Sequence, residues 1–409
     1  MKNREVAIVS TGVHPWGVWP DKSQAEMAVE AIVMALENAN LSWREIEFIG
    51  SASPLWVADK EGLDCNLSGT AIERLIGNIG VPVISTSNAC ASGTAALFAA
   101  CMAVASGEFD VALAVAGDKS AGGFFRPQSR DGKFDIDYQR YVATGQTNPA
   151  YWACEVRKRM HDVGTTEDDL ALVKEVTSKN APGNRYARYK KSYTKADVLA
   201  SPMVVDPLHL FEICAVSDGA GAAIVMPLDK AHKYAKKPVL IEGITVGTPM
   251  FGDPTIPLYF LSSFSRPGVP MLSESVKSVE RVFKMAKRDY PHRRLPEDID
   301  IIELPDNSSW HYFVYLDCIL GLKPGEAEKM LRNGDTDTVN GKLPVCPGGG
   351  FGATGEAVAA QGLLEVAMCV DQLRGEAGGC QVKKDVKVAF AQTYGYAGNN
   401  AACLLSRAW

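Results

Sequence analysis

The 409-residue chain has ten cysteines but no Cys-x-x-Cys pair, which removes the zinc-ribbon and thioredoxin-type spacings. It has no run of about 18 uncharged apolar residues, the length a bilayer-spanning helix needs. It has no basic excess either: 48 acidic against 42 basic side chains leave a net charge of −6, the wrong sign for a general nucleic-acid or anionic-membrane binder. Histidine is scarce, six in all. His14, His161, His209, His232 and His292 stand at no metal-ligand spacing, so no metal is expected in this chain. What remains is an ordinary globular composition, 46% hydrophobic and 22% charged, with room for two or three folding units. Met1 to Arg4 lead into a strand-like Val6 to Ser10 rather than a secretory apolar segment, so a cytoplasmic protein with reduced thiols, Cys65 among them, is expected.

Strand-like and helix-like runs alternate. Val6 to Val9 reads as a strand, Ser23 to Glu37 as a helix capped by Ser23, and Phe48 to Ser51 as a strand. Val81 to Ser85 reads as a buried strand, Ala91 to Ser106 as an Ala-rich helix and Val111 to Ala116 as another strand. Strands apolar on both faces predict a sheet covered by helices on each side. From Lys119 to about Asp206 the rhythm breaks. Phe124, Phe125, Arg126, Tyr138, Arg140 and Tyr141 interrupt it, and polar helical segments follow, as in an inserted cap. It returns with strands at Ala220 to Met226 and Val239 to Val246, and a helix at Ser273 to Ala286. A strand at Ile299 to Leu304, a helix at Gly355 to Ala367, and strands at Val386 to Gln392 and Ala401 to Ser406 complete it. The two halves share one order, which predicts a duplicated α/β core.

The sharpest chemical signal is Ser85-Thr86-Ser87-Asn88-Ala89-Cys90-Ala91-Ser92-Gly93-Thr94, where a strand turns into the Ala-rich helix. A thiol at a helix N-terminus feels the positive end of the helix dipole, so Cys90 is expected to be a low-pKa nucleophile. A second signal, Gly350-x-Gly352-x-x-Gly355, matches the dinucleotide fingerprint in form. The preceding Leu343 to Pro347 does not read as a strand opening a βαβ unit, so nicotinamide binding is set aside. Trp16, Trp19 and Trp56 suit either a substrate pocket or core packing.

The Cys90 segment, Ser217-Asp218-Gly219-Ala220-Gly221-Ala222 and Gly352-Ala353-Thr354-Gly355 resemble the thiolase superfamily, in that family's order and approximate spacing. Gly12 to Lys22, Thr177-Ser178-Lys179-Asn180-Ala181, and Ala200-Ser201-Pro202-Met203-Val204 to Pro207-Leu208 resemble its sterol carrier protein X branch. The resemblance implies an α/β thiolase fold: a duplicated five-layer αβαβα core with an inserted loop domain that holds coenzyme A. The expected division is 1–118 for the first part of the N-terminal half, 119–206 for the loop domain, 207–235 for the completion of that half and 236–409 for the C-terminal half. Coenzyme A is the implied co-substrate. Cys90 is the implied nucleophile on a 3-oxoacyl-CoA, with the Cys90 and Gly398 N–H groups as oxyanion donors. Gly349, Gly350 and Phe351 would meet substrate, and Arg185, Arg188 and Lys190 the CoA phosphates.

The chain departs from the family pattern in its acid/base groups. The histidine of Gly-His-Pro falls on Gly349, which would open volume for a bulky C2 substituent. Glu303-Leu304-Pro305-Asp306-Asn307 stands where the family has Glu-Leu-His-Asp-Cys, and the loop Gln392 to Asn400 holds no cysteine. Tyr394, Tyr396, Asn307 and His311 are therefore the expected substitutes. Three readings stay open. The first is a thiolase for bulky or aromatic 2-substituted substrates such as benzoylsuccinyl-CoA, the second a retro-aldolase of the steroid side-chain type, and the third a degenerate subunit with a structural role. The resemblance also implies a homodimer and a separate small zinc-ribbon/OB-fold subunit, together a heterotetramer.

Overall fold

A computed structural model of the chain describes residues 4–52, 66–119, 139, 142–143, 145, 147–250, 272–288 and 299–409. Trp56, Cys65, Phe124, Phe125, Arg126, Tyr138, Arg140, Tyr141 and His292 lie outside the described residues. The main elements of the first half are β1 (Val6–Gly17), α1 (Gln24–Ala39), β2 (Phe48–Ala52), α2 (Ser68–Ile76), β3 (Val83–Thr86), α3 (Ser92–Ala105) and β4 (Ala112–Lys119), then α4 (Asn148–Val163), α5 (Glu167–Ser178) and β5 (Asp218–Pro227). The second half has β6 (Val239–Gly247), α6 (Ser273–Met285), β7 (Ile301–Glu303), α7 (Ser309–Leu320), the short α8 (Gly350–Thr354), α9 (Gln361–Arg374), β8 (Val388–Gly395) and β9 (Asn399–Arg407).

Among the described residues the main sheet has nine strands in the order β3-β2-β4-β5-β1-β6-β9-β8-β7. It is two copies of one pattern. In the first, β1 pairs antiparallel with β5, β5 antiparallel with β4, β4 parallel with β2 and β2 parallel with β3. In the second, β6 pairs antiparallel with β9, β9 antiparallel with β8 and β8 parallel with β7, while a parallel bridge from Ile302 to Val345 takes the place of the fifth strand. The duplication expected from the sequence is thus visible strand by strand.

Helices α1 and α6 cover the outer faces of the two sections, and α3 and α9 lie between them, in contact with strands of both. The alternation along β4 explains the layering: Ala112, Ala114 and Ala116 join the core around α3 and α9, while Leu113 and Val115 join the core around α1. Small residues set the close approach. A Cβ on Gly12 would lie 2.0 Å from the Ala31 carbonyl of α1, and one on Gly243, its counterpart on the first strand of the second half, 2.4 Å from the Val282 carbonyl of α6. Helix α1 opens on a capping box, with Ser23 accepting from the Glu26 N–H and Glu26 from the Ser23 N–H, which stabilises it by about 1 kcal/mol.

Two expectations change. Residues 83–86 form not a buried strand but the last one in the sheet order, with Ile84 50% exposed. The helix expected from Gly355 begins at Gln361, leaving 355–360 as a loop. In the 119–206 segment, α4 and α5 lean on the second half, where buried Arg159 pairs with Glu328 at 2.6 Å and Asp317 at 2.8 Å.

Candidate active site

Cys90 sits in the turn between β3 and α3. Ala89, just before it, has a left-handed φ of 50°, a conformation that costs a non-glycine residue about 1–3 kcal/mol and clusters at functional sites. Ser92 locks the turn, its Oγ donating to the Ala89 carbonyl at 2.6 Å and accepting from the Asn88 N–H at 2.8 Å. Opposite lies the end of β8. A Cβ on Gly395 would come within 2.6 Å of the Cys90 nitrogen, and the Tyr396 backbone N–H is directed at the Cys90 thiol.

The segment before β5 closes another side. Cys214 N–H donates to the Asn307 carbonyl at 2.9 Å, Ser217 N–H to the Glu356 carbonyl at 2.8 Å, and Glu356 N–H to the Ala215 carbonyl at 2.7 Å. A backbone bridge joins Val216 to Glu356. The loops after β3, β7 and β8 thereby meet at the carboxyl ends of parallel strands, where open α/β sheets bind ligands.

Several buried ionisable groups share this space. The Cys214 thiol donates to Glu356 Oε2 at 3.2 Å, and Asn307 Nδ2 donates to Glu356 Oε1. Phe351 N–H donates to Asp306 at 2.6 Å, Gly348 N–H to Glu303 at 3.4 Å, and Lys174 Nζ to the Gly352 carbonyl at 2.7 Å. Burial pushes the Glu356 and Asp306 carboxyls up to about 7 and Glu303 up to about 8. Burial pulls Lys174 down to about 8, against the opposing charge of Asp306.

The low-pKa expectation for Cys90 is overturned. Burial, and then the Glu356 carboxylate, push the thiol well above its ordinary value, and the N–H groups of Tyr396 and of Cys90 itself offset only part of this. Cys90 as a residue is only 8% exposed, and desolvating a thiolate outweighs a helix dipole. A thiol in this setting would ionise only with a proton acceptor beside it.

Of the expected acid/base substitutes, Asn307 is in the cluster, held against Glu356. His311 is buried in an aromatic cage with ring centroids 4.6 Å from Trp310 and 4.9 Å from Trp152, and its Nδ1 pairs with Ser308 Oγ. Burial drives its pKa down to about 3, so it is neutral at physiological pH. Strand alternation puts Tyr394 on the α6/α7 side, 5.6 Å from the Tyr315 ring, and Gly395 on the Cys90 side. Tyr396 presents its backbone N–H to the thiol, and the residue is 40% exposed. Gly398, with φ 70°, lies against Pro249.

Gly349 opens no volume: a Cβ there would meet the Ala353 Cβ at 2.6 Å and the Ala181 Cβ at 3.3 Å, so alanines already fill the space. Gly350 abuts the Asp306 carboxylate, and Phe351 is a core side chain rather than a substrate contact. Arg185 is engaged by Asp371 at 2.7 Å and by the Tyr186 hydroxyl, Arg188 donates to the Val216 carbonyl, and Lys190 is exposed. Sequence reading missed Glu356, Cys214 and Lys174. A charged residue directly after Gly352-Ala353-Thr354-Gly355 was the available signal for Glu356. Nothing local marked Lys174, which reads as an ordinary helix residue.

Residues 262–407 match the thiolase C-terminal domain-like family model. The chain is 30% identical over 410 residues to sterol carrier protein 2 of Bos taurus, covering 97% of this chain and 71% of the relative. The chain belongs to the thiolase family. An acetyl-CoA acetyltransferase of Methanothermobacter thermautotrophicus is 29% identical to this thiolase-family chain over 98% of both. Benzoylsuccinyl-CoA thiolase subunit BbsB of Thauera aromatica is 28% identical over 82% of both. The solved Ltp2-ChsH2(DUF35) aldolase shares the thiolase fold, with a TM-score of 0.80 at 23% identity over 99% of this chain and 98% of that one. Thiolases of this kind are acyltransferases. No helix among the described residues is long and apolar enough to cross a membrane.

Proposed function

We propose that this thiolase-family chain catalyses CoA-dependent retro-Claisen cleavage of a 3-oxoacyl-CoA through an acyl-Cys90 intermediate. The observation that carries the reading is the strained Asn88-Ala89-Cys90 turn, facing Gly395 and the Tyr396 N–H. Cys90 attacks the 3-keto carbon, the bond from C2 to C3 breaks with its electron pair on C2, and C2 is protonated. The CoA thiol then takes the acyl group from Cys90. Covalent catalysis divides one difficult step into two, and backbone N–H groups, that of Cys90 first and that of Gly398 as a candidate, stabilise the transient oxyanion.

A bulky or aromatic C2 substituent of the benzoylsuccinyl-CoA kind is supported by the Thauera relative. Arg188 and Lys190 remain the proposed contacts for the CoA phosphates, Arg185 being tied to Asp371. The 119–206 segment would be the CoA-binding loop domain. A homodimer is supported by the exposed end strand β3. A separate zinc-ribbon/OB-fold subunit, making a heterotetramer, is supported by the Thauera relative, itself one subunit of its thiolase, and by the second component, ChsH2(DUF35), of the solved aldolase. The proposed location is the cytoplasm.

The test is intact mass after brief exposure to acetoacetyl-CoA or benzoylsuccinyl-CoA, with Cys90→Ala as control and CoA added later. The expected result is an acyl adduct that needs Cys90 and disappears with CoA. Cleavage of a 3-hydroxyacyl-CoA equally well by Cys90→Ala, with no adduct from either ester, would establish the retro-aldolase in its place.

A further inference from the structure

With the family's histidine position occupied by Gly349 and His311 walled off by aromatic rings, the Cys90 proton needs another acceptor. We infer that Glu356 is the general base for Cys90, held in place by hydrogen bonds from the Cys214 thiol and the Asn307 amide to its two carboxylate oxygens. This rests on the acyl-Cys90 reading, and it assigns a residue that the family pattern does not provide.

Geometry carries the assignment. Glu356 begins the loop that leads to α9, and that loop packs directly on the first turn of α3: a Cβ on Gly93 would lie 2.8 Å from the Ala359 carbonyl. Both of its backbone polar groups are pinned to residues 215 and 217. Each side-chain oxygen accepts from a fixed donor, Cys214 on one side and Asn307 on the other. The carboxylate so placed is the charge that weighs most on the Cys90 thiol. The other charged or titratable groups facing Glu356 are Asp306 after β7, Asp118 at the end of β4 and Glu365 on α9. A carboxyl surrounded by acids and buried to 1% exposure is held near neutrality, where a base must lie to be free at working pH and still hold a proton.

The steps balance. The Cys90 S–H bond breaks and a Glu356 O–H bond forms as the sulfur adds to C3. When the bond from C2 to C3 breaks, C2 takes the electron pair and receives the proton from Glu356. In the second half-reaction the CoA thiol gives its proton to Glu356 and adds to the acyl-Cys90 carbonyl. The departing Cys90 thiolate takes that proton back, and Glu356 ends as a carboxylate.

The first measurement needs no turnover. It is the rate of Cys90 alkylation by iodoacetamide against pH, read by peptide mass on the folded chain. In the wild type the pair shares one proton above the Glu356 pKa, so the rate levels off from about pH 7. In Glu356→Gln the plateau disappears and the rate keeps rising about tenfold per pH unit. Cys214→Ala and Asn307→Ala each remove a donor that holds the carboxylate ionised, so the plateau begins at higher pH. A merely structural role for these residues would not move this onset. The second measurement is single-turnover acylation by acetoacetyl-CoA, which Glu356→Gln slows by at least about 100-fold while Glu356→Asp recovers part of the rate. Parallel alkylation profiles for wild type and Glu356→Gln, or equal acylation rates, overturn the assignment. A wild type with the plateau but no adduct points instead to failure of the acyl-Cys90 reading.

Discussion

Lys174 on α5 donates to the Gly352 carbonyl at 2.7 Å, tying a helix of the 119–206 segment to the loop that presents Glu356. The ammonium is buried beside Tyr193, with Asp306 as the main opposing charge acting on it. Lys174→Met leaves a buried carbonyl without its donor, a loss of about 1–3 kcal/mol. Urea unfolding should register that loss. Acylation of Cys90 should fall further than the stability change explains, because the loop then loses its anchor.

Glu303 gives a pH signature. Its folded-state pKa, about 8, lies above the ordinary carboxyl value because of burial. A raised pKa contributes stability that is complete below the unfolded value and is lost as pH rises through the folded one. Glu356 and Asp306, both near 7, act in the same direction. The melting temperature should therefore fall between pH 5 and 8, and Glu303→Gln should flatten the upper part of that fall. Lys174, lowered to about 8, works the other way only above pH 8. A melting temperature that rises across pH 5 to 8 would contradict this account.

Arg159 holds the 119–206 segment to the second half through Glu328 and Asp317, the arginine and Glu328 both buried. Removing one partner of a buried ion pair typically costs about 3–5 kcal/mol. Arg159→Met should show a loss of that size in denaturant unfolding. Replacing Glu328 as well by leucine should restore much of it, since two apolar residues leave fewer buried charges unpaired.

Gly395→Ala tests the wall opposite Cys90, the proposed nucleophile. Its Cβ would overlap the Cys90 nitrogen at 2.6 Å, displacing either the turn or the β8 end. Overpacking of this kind costs about 1–3 kcal/mol. Acyl-Cys90 formation should drop at least about tenfold, since sub-ångström shifts at a reacting centre cost rate steeply. Unchanged acylation would remove Gly395 and Tyr396 from the site.

The element rhythm was readable because β4 and β5 are apolar on both faces and α3 is Ala-rich, patterns that survive any packing. Val81 to Ser85, read as a buried strand, misled for the same reason: an apolar run does not say whether a neighbouring strand will cover it. Cys90 was legible from its small-residue turn, and its raised pKa was not, because burial first, and then Glu356 from a distant part of the chain, set it. Tyr394 looked like an acid/base residue until strand alternation placed it against Tyr315.

By itself the sequence determined the duplicated strand and helix order, the position of Cys90 at the head of an Ala-rich helix, and a glycine at position 349, where the resemblance implies a histidine. Those are local properties, written in periodicity and in single positions. Tertiary structure decided which groups surround the thiol: Cys214, Asn307 and Glu356 are separated by up to 142 residues and meet only because the two half-sheets enclose α3 and α9. Burial and long-range contact set the charge state of every group there, and neither is a property of any local segment.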